Sequence, residues 1–108
     1  MYGKNLVYKL FISEFTHTDL RNIIAYIKET LCAPQSATNF ADEVQKCFKR
    51  LKTSPLIYKL CNDERLAREG YRRALVKSYV IVFKVDEEKK IVHIYRFFYG
   101  AEDYPNKL

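Results

Sequence analysis

Apolar and polar residues alternate near the start of the chain, step by threes and fours through its middle, and alternate again in its last third. In residues 6–13, Tyr8, Leu10 and Ile12 fall on one face and Val7, Lys9 and Phe11 on the other, a period of two that predicts a strand. Leu20, Ile23, Ile24, Ile27 and Leu31 then form the stripe of an amphipathic helix, with Thr16 the expected N-cap and Asp19 closing a capping box three residues on. Cys32, Ala33 and Pro34 end that helix and start another, because proline is tolerated in a first turn. The second stripe is Ala37, Phe40, Ala41, Val44, Phe48 and Leu51, and it stops at Thr53, Ser54 and Pro55. So short a connection folds the helices into an antiparallel hairpin. Their stripes are too wide to serve only each other, so the pair must also cover one face of a sheet.

Residues 55–70 show no period: Leu56, Ile57, Leu60 and Leu66 are the candidate anchors, and Asn62, Asp63, Glu64 and Arg65 read as solvated. Strands are expected over 71–77, 79–86 and 90–98, with Asp86, Glu87, Glu88 and Lys89 supplying a hairpin turn. In the middle strand Tyr79, Ile81, Phe83 and Val85 share one face and Val80 and Val82 the other, so it belongs in the sheet interior. The expected architecture is an α+β domain over 1–108, ordered β-α-α-β-β-β, with an antiparallel sheet and a helical hairpin on one face.

With 48% hydrophobic and 30% charged residues among 108, the composition is that of a globular protein. Lys9 interrupts the first apolar run, so no signal peptide is expected and the cytoplasm is the expected location. The net charge of +6 has one source: residues 46–84 carry eleven Lys and Arg against three acids, and both flanks are slightly acidic. That concentration points to a polyanion or an acidic protein as partner. Cys32, Cys47 and Cys61 are odd in number and widely spaced, and neither His17 nor His93 completes a ligand spacing. Free thiols, no metal and no cofactor are expected.

With three glycines and none in a phosphate-cradling loop, nucleotide-binding motifs are absent from the sequence; no serine has a nucleophile-elbow context. The remaining candidate chemistry is cationic and phenolic: Arg72, Arg73, Lys77, Arg96, Tyr99 and Tyr104. Arginine forks hold phosphate or carboxylate oxygens, and tyrosine stacks or transfers a proton. Alternation places Arg72 and Arg73 on opposite faces and puts Arg96 with Ile94 and Phe98 at a core edge. Folding is expected to gather these scattered cations into one docking area.

The segments YKLFIS (8–13), DLRNIIAYI (19–27), the proline-started helix, GYRRALVKSYVIVFKVD (70–86) and IVHIYRFFYGAEDY (91–104) together resemble toxins of the RelE/ParE superfamily. These are the toxic halves of bacterial type II toxin–antitoxin pairs, some of them plasmid-stabilization systems. The resemblance implies a groove blocked by a cognate antitoxin, in a hetero-oligomer or with a homodimeric toxin. It also implies one of two mechanisms. RelE-like members are mRNA interferases that cleave ribosome-bound message. Their usual arginine after the aromatic of the second meander strand corresponds here to Val80, and Ala74 is likewise neutral, leaving Arg72, Lys77, Arg96 and Tyr99 as the reduced catalytic set. ParE-like members share the wording YVIVFKVD and RFFYGAEDY and bind DNA gyrase without an active site of their own. In that branch Arg96, Gly100, Asp103 and the tail through Leu108 are the implied interaction determinants, and the full set expected to bind a partner is Arg72, Arg73, Lys77, Arg96, Tyr99, Asp103 and Tyr104. The expectation is a ParE-like, non-enzymatic gyrase inhibitor; the alternatives are a RelE-like endoribonuclease and a weakly toxic chain that serves mainly as the antitoxin's partner.

Overall fold

The computed structural model describes residues 7–100 and 102–108. Strand β1 (Lys9–Ile12) passes through Ser13 into helix α1 (Glu14–Ala25), which ends in a π-turn (Tyr26–Thr30). Helix α2 (Pro34–Thr53) runs back, and a short helix α3 (Glu64–Arg68) precedes strands β2 (Arg72–Val76), β3 (Tyr79–Asp86) and β4 (Ile91–Tyr99). The sheet order is β1-β4-β3-β2. The three C-terminal strands form the expected antiparallel meander, and β1 adds to β4 in parallel. The predicted first strand also includes Leu6, which lies outside the described residues.

Helices α1 and α2 cover one face of the sheet, as their stripes require. Phe40, Val44, Cys47, Phe48 and Leu51 of α2 pack on Ile81 and Phe83 of β3 and on Val92, Ile94 and Phe97 of β4. Because β3 is apolar on both faces, a second and smaller core forms on the far side, where Val80, Val82 and Phe98 meet Leu66 and Cys61. Leu66 is an anchor as expected, but Leu56, Ile57 and Leu60 are exposed; Pro55 and Cys61 are buried instead. Asp63, expected to be solvated, caps α3 by accepting from the Leu66 amide at 2.9 Å.

Three other expectations are corrected. The N-cap of α1 is Ser13, whose hydroxyl accepts from the Thr16 amide at 3.0 Å, and not Thr16. Thr16 is fully buried inside the first turn and donates to the Ile94 carbonyl. Leu31 leaves the helix stripe, because the Leu31 amide reaches back five residues to the Tyr26 carbonyl. The extra residue rotates the side chain off the buried face, and Leu31 is 54% exposed. Finally, Ile94, Arg96 and Phe98 do not share one face: Arg96 keeps to the face of Phe98, opposite Val82 and Val80, while Ile94 lies on the helix side. Phe83 pairs with Ile94 and Val82 with Arg96, so Tyr95 is one extra residue in β4, a bulge. Past it the alternation is shifted: Phe97 enters the helix-side core, and Phe98 enters the second.

The bulge puts Arg96 at the rim beside α1. There Arg96 Nε and Nη2 donate to the two Asp19 oxygens at 2.7 and 2.9 Å, and the Phe97 amide donates to Asp19 Oδ2 at 3.1 Å. Asp19 thus serves as a clamp from α1 to the free edge of β4 and not as a capping-box member.

Two substitutions separate these contributions. Phe83→Ala removes a fully buried ring at the centre of the sheet and is expected to cost about 3–5 kcal/mol in denaturant unfolding, whereas Leu75→Ala, 64% exposed on β2, should stay within about 0.5 kcal/mol. Asp19→Ala leaves the Arg96 guanidinium and the Phe97 amide without their acceptor, and the same measurement should show a loss of about 1–3 kcal/mol.

Candidate functional site

On the far face of the sheet the C-terminal residues form a compact strap. The Tyr104 ring stacks on Phe98 with centroids 5.3 Å apart. Arg65 Nη2 on α3 donates to the Pro105 carbonyl at 2.7 Å and to the Leu108 carbonyl at 3.4 Å. Glu102 accepts from the Tyr99 amide at 2.8 Å and pairs with Lys107 at 2.6 Å. Burial raises the Glu102 carboxyl's pKa, but the bonds from Lys107 and Tyr99 outweigh that and bring it below its usual value. Beneath the strap lie Cys61 and Arg73. Arg73 Nε is enclosed with no hydrogen-bond partner among the described residues. Burial pushes the Cys61 thiol up in pKa while the Arg73 charge pulls it down.

Arg72 leaves β2 on the other side, where its Nη1 donates to the Tyr58 carbonyl at 2.6 Å. The Tyr58 hydroxyl in turn accepts from Arg50 Nε at 3.0 Å. This ties the segment after α2 to the sheet and engages two cations of the basic stretch. Asp103 accepts from the Asn106 side chain inside the strap.

Lys77 occupies the two-residue connection between β2 and β3, where Val76 pairs with Tyr79. Its φ of 55° is left-handed. A positive φ at the first connecting residue is a requirement that glycine meets most easily. The turn is pinned from β4, since the Gly100 amide donates to the Ser78 carbonyl at 2.8 Å. A Cβ on Gly100 would lie 3.1 Å from that oxygen, so a side chain there would press on the turn. Lys77 and Tyr99 line a cavity of about 810 Å³ together with Tyr26, Tyr79 and Phe40. A smaller recess of about 210 Å³ places Arg96, Asp19 and Glu102 beside Tyr79 and Tyr99.

The structure therefore distributes the sequence-derived candidates instead of gathering them into one docking area. Arg73 and Tyr104 lie under or in the strap; Lys77 and Tyr99 share the cavity; Arg96 sits in the adjoining recess, with Tyr99 common to both. Asp103 belongs to the strap as well, and Arg72 stands apart. Tyr26 and Tyr79 are not among the sequence candidates. Tyr79 reads in sequence as an ordinary core-face residue, and Tyr26 reaches the cavity through a π-turn that no sequence period announces. Among the described residues no group of three or more His, Cys, Asp or Glu side chains is arranged to hold a metal ion. Likewise, no helix there is long and apolar enough to cross a membrane.

No curated protein matches the chain. Solved structures similar to it include a chain of the RelBE2 toxin–antitoxin complex from Mycobacterium tuberculosis, with a TM-score of 0.61 and 23% identity over 86% of this chain and 98% of that one. A chain from the chromosomal ParDE toxin–antitoxin system of P. aeruginosa aligns with a TM-score of 0.69 and 16% identity, over 88% of this chain and 98% of that one. At those identities the likeness establishes the fold. The family model for the ParE toxin of type II toxin–antitoxin systems matches residues 11–104, which take in the helical hairpin, the meander and the start of the strap. The chain belongs to the ParE toxin family of type II toxin–antitoxin systems.

Proposed function

We propose that this chain is a toxin that binds DNA gyrase without catalysing a reaction itself and is neutralised by a cognate antitoxin. The observation that carries the reading is what occupies the far face of the sheet. Val80 stands where the RelE-like resemblance implies an arginine, and it is 2% exposed against Phe98 and Leu66. RNA cleavage needs cations preorganised around the charge that develops on the phosphate. Here that surface is an apolar core under a strap, Arg96 is engaged by Asp19, and Arg72 by a backbone carbonyl. Such a face supports protein binding better than phosphoryl chemistry.

A second reading, an mRNA endonuclease, draws on one observation. Arg73 Nε has no partner among the described residues and lies close to Tyr104, giving a cation and a phenol on one side of the sheet. The antitoxin reading draws on the basic stretch, whose lysines on α2 (Lys46, Lys49 and Lys52) are exposed and suit an acidic segment.

Induced expression in a bacterial host distinguishes the mechanisms. The expected outcome is a DNA-damage response and filamentation while translation continues, and the purified chain should inhibit supercoiling by gyrase. Prompt translation arrest with cut ribosome-bound mRNA would transfer the assignment to the nuclease. Antitoxin affinity, measured by titration calorimetry at increasing salt, should fall as exposed charges are screened beyond about 8 Å at physiological ionic strength; an affinity indifferent to salt would make the contact apolar.

A further inference from the structure

The β2–β3 connection and the end of the first helix hold irregular backbone, and both border the same cavity. On one side the π-turn Tyr26–Thr30 runs into Cys32, whose φ is 51°. On the other, Lys77 holds a left-handed conformation that glycine would adopt without cost. Irregular turns and left-handed non-glycine residues concentrate at functional sites, because the surrounding fold must maintain them against their own preference. Here they coincide around one space of about 810 Å³, a size that suits a small ligand.

The lining defines the chemistry of that ligand. Tyr79 meets Phe40 edge-on at 5.3 Å and Tyr99 edge-on at 5.8 Å, a fixed aromatic floor. Tyr26 and Tyr99 are about half exposed, at 48% and 52%, and stand as uncovered walls. Among the described residues Lys77 is the one charged side chain of the lining, which contains no carboxylate; Ser36, Asn39 and Ser78 add polar groups. Burial, and after it the neighbouring Tyr26 and Tyr99, pushes the Tyr79 phenol above its usual range, so it remains an O–H donor.

We propose that this cavity is a binding site for a small aromatic monoanion, an arylacetate, with its planar ring between Tyr26 and Tyr99 and its carboxylate on Lys77. Charge complementarity selects the anion, since a lone lysine among neutral donors attracts a carboxylate. The aromatic floor and walls select a planar group, for which stacked and edge-on contacts are favourable. Retaining lysine where glycine fits the backbone better places the ammonium at the mouth of the site. The proposal does not depend on the gyrase or antitoxin reading.

The test uses the full ¹⁵N-labelled chain, with indole-3-acetate as the probe and its uncharged analogue indole-3-acetamide as the comparison. Saturable amide shifts are expected at Tyr26, Leu31, Ser78 and Tyr99, with a dissociation constant of about 1 mM or tighter. The acetamide should bind about tenfold more weakly. Lys77→Gly should weaken indole-3-acetate binding by a similar factor while raising Tm by about 2–5 °C, because it removes the charge and the strained conformation together. Equal binding of the acetamide, unchanged affinity in Lys77→Gly, or shifts that do not saturate or fall elsewhere would each overturn the proposal.

Discussion

The single extra residue at Tyr95 governs how β4 can serve two cores at once. With strict alternation, Val92, Ile94 and Arg96 would all point at the helices, and a guanidinium would enter the main core at a large desolvation cost. The bulge shifts the phase by one, so Phe97 takes the inner position and Arg96 reaches the rim. Asp19 then meets the arginine with both oxygens and takes the Phe97 amide that β1, ending at Ile12, leaves unpaired. Helix α1, the edge of β4 and the entry to the strap are all positioned by that arrangement.

A consequence is that the charge of the chain and the chemistry of its surface part company. The basic stretch supplies most of the cations, yet Arg50, Arg65 and Arg72 hold segments of the fold by donating to oxygen acceptors. The exposed cations outside those bonds include Lys49 and Lys52 of α2 and Lys77. Lysine is a flexible, strongly hydrated point charge, suited to long-range attraction of an acidic partner more than to bidentate phosphate recognition. The far face of the sheet, where phosphate chemistry would need open cations, is instead filled by Val80, Val82 and Phe98 and covered by Tyr104.

The hydrophobic pattern carried the architecture well. The stripes of α1 and α2, the turn at Pro34, the two-faced β3 and the α+β order were all readable, because burial imposes periods of 3.6 and 2 directly on the sequence. The site was less readable. Lys77 and Tyr99 are identified by residue type, but their meeting with Tyr26 and Tyr79 depends on a π-turn and a bulge, each of which adds one residue and leaves no period of its own. Residues 55–70 were unreadable for a related reason: Leu66 and Cys61 are buried by a long-range contact with β3 and β4, and the short α3 has too few turns to show a stripe.

By itself the sequence determined the two long helices and the four strands, that those helices share one side of the sheet, and that the excess positive charge lies in residues 46–84. Tertiary structure alone decided that β1 joins β4 in parallel, that Asp19 binds Arg96 and not its own helix end, and that the candidate cations are distributed over separate places. The physical reason is range. Periodicity and propensity act between residues a few positions apart, whereas Asp19 and Arg96 are brought together only by the packing of a helix against a strand edge far along the chain.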